Sequence, residues 1–222
     1  MSRVHDMGGR YGDGAVDPTD NAVFAKDWHA RALALTLAAG SLGQWNIDIS
    51  RHARESLSPK DYSRFSYYEK WLAALADMLV ERGVITRVEL TTGHGAGLSE
   101  LADRVLKADK VAGVLAQGSP YTRPDVEARF SVGEAVRTRR PARNTKVTGG
   151  HTRLPVYASG IQGEIVLRHG THVLPDSNAH GLGEAAEPLY AVAFSARDLW
   201  GEEAQDGDEV VLDLWQSYLE PA

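Results

Sequence analysis

The chain has 222 residues, 43% of them hydrophobic and 24% charged, and carries a formal net charge of −6. That length can bury a sizeable core, the composition excludes wholesale disorder, and the acidic balance excludes a general nucleic-acid binder, which needs a basic surface to release counterions. The absence of cysteine removes disulfides, thiolate nucleophiles, Fe–S clusters and thiolate zinc sites together. No apolar run approaches the roughly 18 to 20 residues of a membrane helix. The opening MSRVHDMGGR lacks the apolar stretch of a signal peptide, so a cytoplasmic chain is expected.

Residues 8–22 are rich in Gly, Asp and Pro, without periodicity, and read as an extended arm over residues 1–23 that is ordered only where it lies on something. From residue 24 to 39 apolar positions recur at three-to-four spacing and Gly40 ends the run, which predicts an amphipathic helix. A second helix is expected over about 48–57. Ser58-Pro59 then offers an N-cap followed by proline at the first helical position. Residues 67–82 give the clearest helix, with Tyr68, Trp71, Leu72, Leu75 and Leu79 along one face and Gly83 as its stop. Thr86 and Glu89 have capping-box spacing for a short helix. A glycine-rich break, TTGHGAG, precedes a further helix expected over about 99–116.

After GSPYTRP the texture changes. Short β-type runs, EAVRTR, GEIVLRH, LYAVAFS and DEVVLDLW, alternate with Gly, Pro, Asp and Asn clusters. The fold class read from this order is α+β: an N-terminal arm (1–23), a helical domain (24–116), a linker (117–128), and a small C-terminal β-barrel or β-roll domain of SH3-like type (129–222).

Chemistry-bearing groups are sparse. The GxGxG glycines of TTGHGAG have neither the preceding strand of a dinucleotide fingerprint nor the GK[ST] of a phosphate loop, and read as a flexible connection. His169 and His172 form an HxxH pair in a β-run expected to turn at Gly170, where positions three apart face opposite ways; they read as ordinary hairpin histidines. Arg51 and Glu55 have helical ion-pair spacing, a surface pair or a device in which Glu55 fixes the Arg51 guanidinium for an oxygen anion elsewhere. Tyr67 and Trp71 share a face and either join the core or line an apolar pocket; spacing leaves both open. Arg153, in HTRLPVYASGIQGEI, is either a surface loop residue or a cation aimed at a charge this chain lacks. No Ser-His-Asp set, metal motif or acid pair is present at convincing spacing, the pattern of a subunit rather than a self-contained enzyme.

In order along the chain, HDMGGRYGDGAV, VFAKDWHARA, IDISRHARE, YYEKWLAAL, GHTRLPVY, HGTHVLPDSNAHGLGE, LYAVAFSARDLWG and LDLWQSYLEPA resemble the β subunit of nitrile hydratase, over nearly the whole length from Val4 to Ala222. The resemblance implies an enzyme that hydrates nitriles to amides as an αβ or α2β2 assembly. Its non-corrin Co(III), or alternatively Fe(III), is held by the α subunit through three cysteine sulfurs, two of them oxidised, and two backbone amides, with no metal in the β chain. It also implies that Arg51 and Arg153 hydrogen-bond the oxidised cysteines, that Glu55 and His151 orient those arginines, and that Ile47, Ser50, Tyr67, Lys70 and Trp71 form the β side of the substrate pocket. The chain departs from many relatives at Lys70, at Ser50 and in YASGIQG. Trp71, and the lack of a WPFPD-like segment, favour cobalt. Two rivals accompany this reading: a thiocyanate-hydrolase-like subunit, and a non-catalytic accessory or metal-loading escort with an electron-transport-accessory-like barrel.

Overall fold

The computed structural model describes residues 4–6 and 17–222, so most of the arm expected over residues 1–23 lies outside the described part. The chain forms two compact units that divide at Ser119 and Pro120; His5 groups with the helical unit and Asp6 with the second. Among the described residues no helix is long and apolar enough to cross a membrane.

The helical unit opens with α1 (Asp27–Gly40), three residues later than the periodicity predicts. Lys26 is extended, and Asp27 places a carboxylate in the first turn, where exposed N–H groups favour negative charge. α2 (Ile47–Glu55) starts where the Asn46 side chain accepts the Ile49 N–H. α3 (Pro59–Arg64) carries the expected Ser58 cap and proline start. α4 (Tyr67–Glu81) is closed at its N-terminus by a Ser66/Glu69 capping box, and α5 (Arg87–Thr92) by the Thr86/Glu89 box read from spacing. The core gathers His29 and Ala32 of α1, Asp48 and Ser50 of α2, and Ala74, Leu75 and Met78 of α4. Glu89 also accepts the Ala96 N–H, which folds the far end of the TTGHGAG connection back onto the start of α5.

The single helix expected over 99–116 is instead two one-turn 3-10 segments, Ala102–Arg104 and Ala108–Lys110, followed by α6 (Val111–Gln117). Val105 and Lys107 interrupt it with extended backbone. Nearly every residue there is solvent-exposed, so no buried face repays the ordering of a long helix.

The second unit is an antiparallel sheet. Its strands are β1 (Thr122–Arg123), β2 (Ala135–Thr138), β3 (Gln162–His172), β4 (Glu187–Ser195), β5 (Glu209–Trp215) and β6 (Leu219–Pro221). They are hydrogen-bonded in the order β5-β4-β3-β2-β6, with β1 on the far end of β3. The path is open: β5 and β6 are its two ends. β4 is buried on both faces, as an uninterrupted apolar run requires of a central strand. Short helices α7 (Pro175–Asn178) and α8 (Ala196–Trp200) follow β3 and β4. The core is built from Phe130, Val136, Leu154, Ile165, Tyr190, Val192, Phe194, Leu214 and neighbours. Gly163 is required where β3 crosses β4, because a Cβ there would stand 2.7 Å from the Ala193 carbonyl oxygen.

β3 does not turn at Gly170. It runs through to His172, taking up the irregularity as a bulge between Arg168 and Gly170, with Gly170 at φ +90°. His169 Nε2 lies 2.8 Å from Asp213 Oδ1, while His172 Nε2 lies 3.3 Å from the His169 carbonyl oxygen.

Candidate functional site

α2 sets Ile47, Ser50, Arg51 and Glu55 on one short helix. Arg51 Nη1 donates to Asp48 Oδ1 at 3.0 Å; the Asp48 side chain is fully buried and the Arg51 side chain is 38% exposed. One arm of the fork is therefore tied, and among the described residues no acceptor engages the others. The expected Arg51–Glu55 pair does not form. Helical side chains lean toward the N-terminus, which favours a partner one turn back over one turn ahead, and a buried carboxylate has the greater need of a cation. Glu55 instead lies 3.8 Å from His52 Nδ1 and 4.0 Å from His5 Nε2.

α4 packs on α2 and contributes the aromatics. The Tyr67 and Trp71 rings are 5.4 Å apart and Tyr67 is 63% exposed. Arg54, which the sequence reading passed over, stacks its guanidinium 4.4 Å above the Trp71 ring; burial draws its pKa below the ordinary arginine value. Arginine nevertheless stays protonated, so Trp71 presents a cation-backed aromatic face. Ile47 is exposed and Ser50 buried. Lys70 turns from this group, its Nζ lying 4.1 Å over the Tyr62 ring.

In the sheet unit, Arg153 lies on a loop fixed from beneath. Gly150 lets that loop pass close: a Cβ would come within 2.7 Å of His180 Nε2 and 2.9 Å of Asn144 Nδ2. His180 Nε2 accepts the His151 N–H at 3.0 Å, and Asn144 Nδ2 donates both to the His151 carbonyl at 2.7 Å and to the Asp176 carbonyl at 2.9 Å. The Tyr218 hydroxyl accepts the Arg153 N–H at 3.0 Å and donates to Asp176 Oδ1. Burial pushes the Asp176 pKa up to about 6, against the lowering influence of Tyr218 and of charge on His151. His151 is completely buried. The Arg153 side chain is exposed, and among the described residues no ion pair engages its guanidinium. Asn144, Asp176, His180 and Tyr218 escaped sequence reading because they meet Arg153's loop across as many as 65 positions of chain.

Among the described residues no group of three or more His, Asp or Glu side chains is placed to hold a metal ion. A guanidinium has five N–H donors and no acceptor. The two arginines therefore suit an anionic oxygen rather than a cation.

The chain matches two family models that divide close to where the two units do. Residues 1–117 match the model "Nitrile hydratase beta subunit, N-terminal" and residues 119–221 the model "Nitrile hydratase beta subunit, C-terminal". The chain belongs to the nitrile hydratase beta subunit family. It is 37% identical to the low-molecular weight cobalt-containing nitrile hydratase subunit beta of Rhodococcus rhodochrous, and 35% identical to the nitrile hydratase subunit beta of Pseudomonas putida, over the full length of each. It is 31% identical to the cobalt-containing nitrile hydratase subunit beta of Pseudonocardia thermophila, covering 99% of this chain and 96% of that one. Among solved structures, the recombinant apo-enzyme of thiocyanate hydrolase from Thiobacillus thioparus aligns with 53% of this chain and 98% of its own, at 26% identity and a TM-score of 0.41.

Proposed function

We propose that this chain is the β subunit of a nitrile hydratase, pairing with an α subunit that holds the metal, a non-corrin Co(III), and hydrating nitriles to amides. Cobalt is supported by the cobalt-containing relatives and by Trp71 in the aromatic pair. On this reading the sheet unit is an SH3-like barrel or roll, the arm spans residues 1–23, and a linker over 117–128 joins helical (24–116) and β (129–222) domains.

The observation that carries the proposal is the state of the two arginines. Arg51 spends one donor on Asp48, and Arg153 spends none of its guanidinium donors on a carboxylate of the described chain. Forked, permanently charged donors are what an oxidised cysteine oxygen on a neighbouring subunit requires once desolvated. The α-held metal, when bound, supplies Lewis acidity toward the nitrile or an activated oxygen nucleophile. This chain's residues do the rest of the work around it. Arg51 and Arg153 hold the ligand oxygens in place, and Glu55 and His151 support their surroundings. Tyr67, Trp71, Ile47 and Ser50, with Lys70 at the margin, shape an apolar wall that admits a small nitrile and limits water.

The test is co-expression with the α subunit, followed by measurement of stoichiometry, metal content and turnover of a simple nitrile on the same sample. A stable one-to-one complex holding about one cobalt per pair and forming amide is expected. A partner that leaves once loaded with metal, or a complex without nitrile turnover, would overturn the reading in favour of an escort.

A further inference from the structure

Among the described residues no carboxylate engages the Arg153 guanidinium, yet its backbone N–H is anchored to the sheet unit's interior. The anchor is a chain of three groups. The Arg153 N–H donates to the Tyr218 hydroxyl, and the Tyr218 hydroxyl donates to Asp176 Oδ1. Tyr218 comes from the turn between β5 and β6, and Asp176 from α7; both are nearly excluded from solvent, at 4% and 3% exposure. A tyrosine that donates to an ionised carboxylate becomes the better acceptor, since each bond polarises the next. The Arg153 N–H is therefore held by a charge-assisted chain, although it touches no charge itself.

We propose that Asp176 and Tyr218 are positioning residues for Arg153, fixing the backbone from which its guanidinium projects and so controlling turnover without touching substrate. The proposal rests on the reading that Arg153 serves nitrile hydration. Its consequence is a pH dependence. Asp176 ionises at about pH 6, and below that value the carboxyl no longer strengthens Tyr218 as an acceptor. The groups facing Asp176 are His151 and Thr152 from the Arg153 loop, Tyr218, and Glu187 at the start of β4. Arg139, Arg140, Arg143 and Lys146 line the same cavity of about 320 Å³. Lys146 is engaged with Ser177, its Nζ donating to Oγ at 2.8 Å.

The experiment uses the cobalt-loaded αβ complex. Tyr218→Phe removes the acceptor for the Arg153 N–H. We expect kcat to fall roughly tenfold with KM changed by less than about twofold, at unchanged stoichiometry and metal content. In an Arg153→Ala background the same change should alter kcat by less than about twofold, because its effect runs through Arg153. Asp176→Asn keeps an acceptor for Tyr218 but not the titration. The acid limb of kcat near pH 6 should vanish, leaving the low-pH value throughout. A crippled Arg153→Ala complex beside a fully active Tyr218→Phe complex overturns the positioning role alone. Wild-type kcat in Arg153→Ala overturns the underlying reading as well. If Tyr218→Phe fails to assemble, Asp176→Asn decides: an unchanged acid limb overturns the proposal, and its loss supports it.

Discussion

On α2 the Arg51 guanidinium is tethered through its own side chain, with Nη1 3.0 Å from the buried Asp48 carboxylate. In the sheet unit Arg153 is tethered through its backbone, and among the described residues no carboxylate engages its guanidinium. The first arrangement spends a donor to fix direction. The second keeps every side-chain donor and fixes only the point of departure. The two arginines should therefore fail differently: Arg51 when its buried counter-charge goes, Arg153 when a neutral hydroxyl 65 residues away goes.

The largest expected effect comes from Arg51→Lys, which keeps the charge and loses the fork. More than a tenfold fall in kcat is expected while the αβ complex still assembles; unimpaired turnover would remove Arg51 from the site. Asp48→Asn is the sharper version, since it leaves Arg51 intact but frees it. A several-fold lower kcat should accompany about 1–2 kcal/mol of lost stability, modest because the Arg51 side chain is 38% exposed and recovers solvation. Denaturant unfolding and steady-state kinetics on one preparation separate the two effects.

Asp176→Asn probes the other region through pH. The folded-state pKa of Asp176 is raised to about 6, chiefly by burial. Its contribution to stability is therefore fully present below the unfolded value near 4 and is lost as pH rises through about 6. The variant should gain on the native chain as pH rises, so its relative melting temperature is higher at pH 7.5 than at pH 5. A gap that does not vary with pH would show that Asp176 does not titrate in that window. The smallest effect is reserved for a control, Arg64→Ala. It breaks an exposed α3 pair with Asp61, and exposed pairs contribute little; no change in turnover or melting is expected.

What the sequence makes legible follows from range. Thr86 and Glu89, or Ser58 and Pro59, announce helix starts because the partners lie within one turn, and LYAVAFS announces a strand because it is a short β-type run. Residues 99–116 mislead because helical spacing is present while nothing covers a face. β1 and β6, at two and three residues, are too short to show a period. For the candidate site, spacing offers Glu55 as the partner of Arg51, whereas side-chain direction and burial choose Asp48. Arg54 on Trp71, 17 positions apart in sequence, depends on how α2 and α4 pack. The Arg153–Tyr218–Asp176 chain joins three segments that only the folded sheet unit brings together, and no local pattern encodes it.

The most direct test of the account is turnover per bound metal in an αβ complex carrying Arg153→Lys, compared with the native complex at matched stoichiometry. A loss of at least tenfold with assembly and metal content intact is the predicted result, because lysine keeps the charge and not the multi-donor fork. Full turnover per metal would contradict the claim that this chain's arginines serve the partner's site.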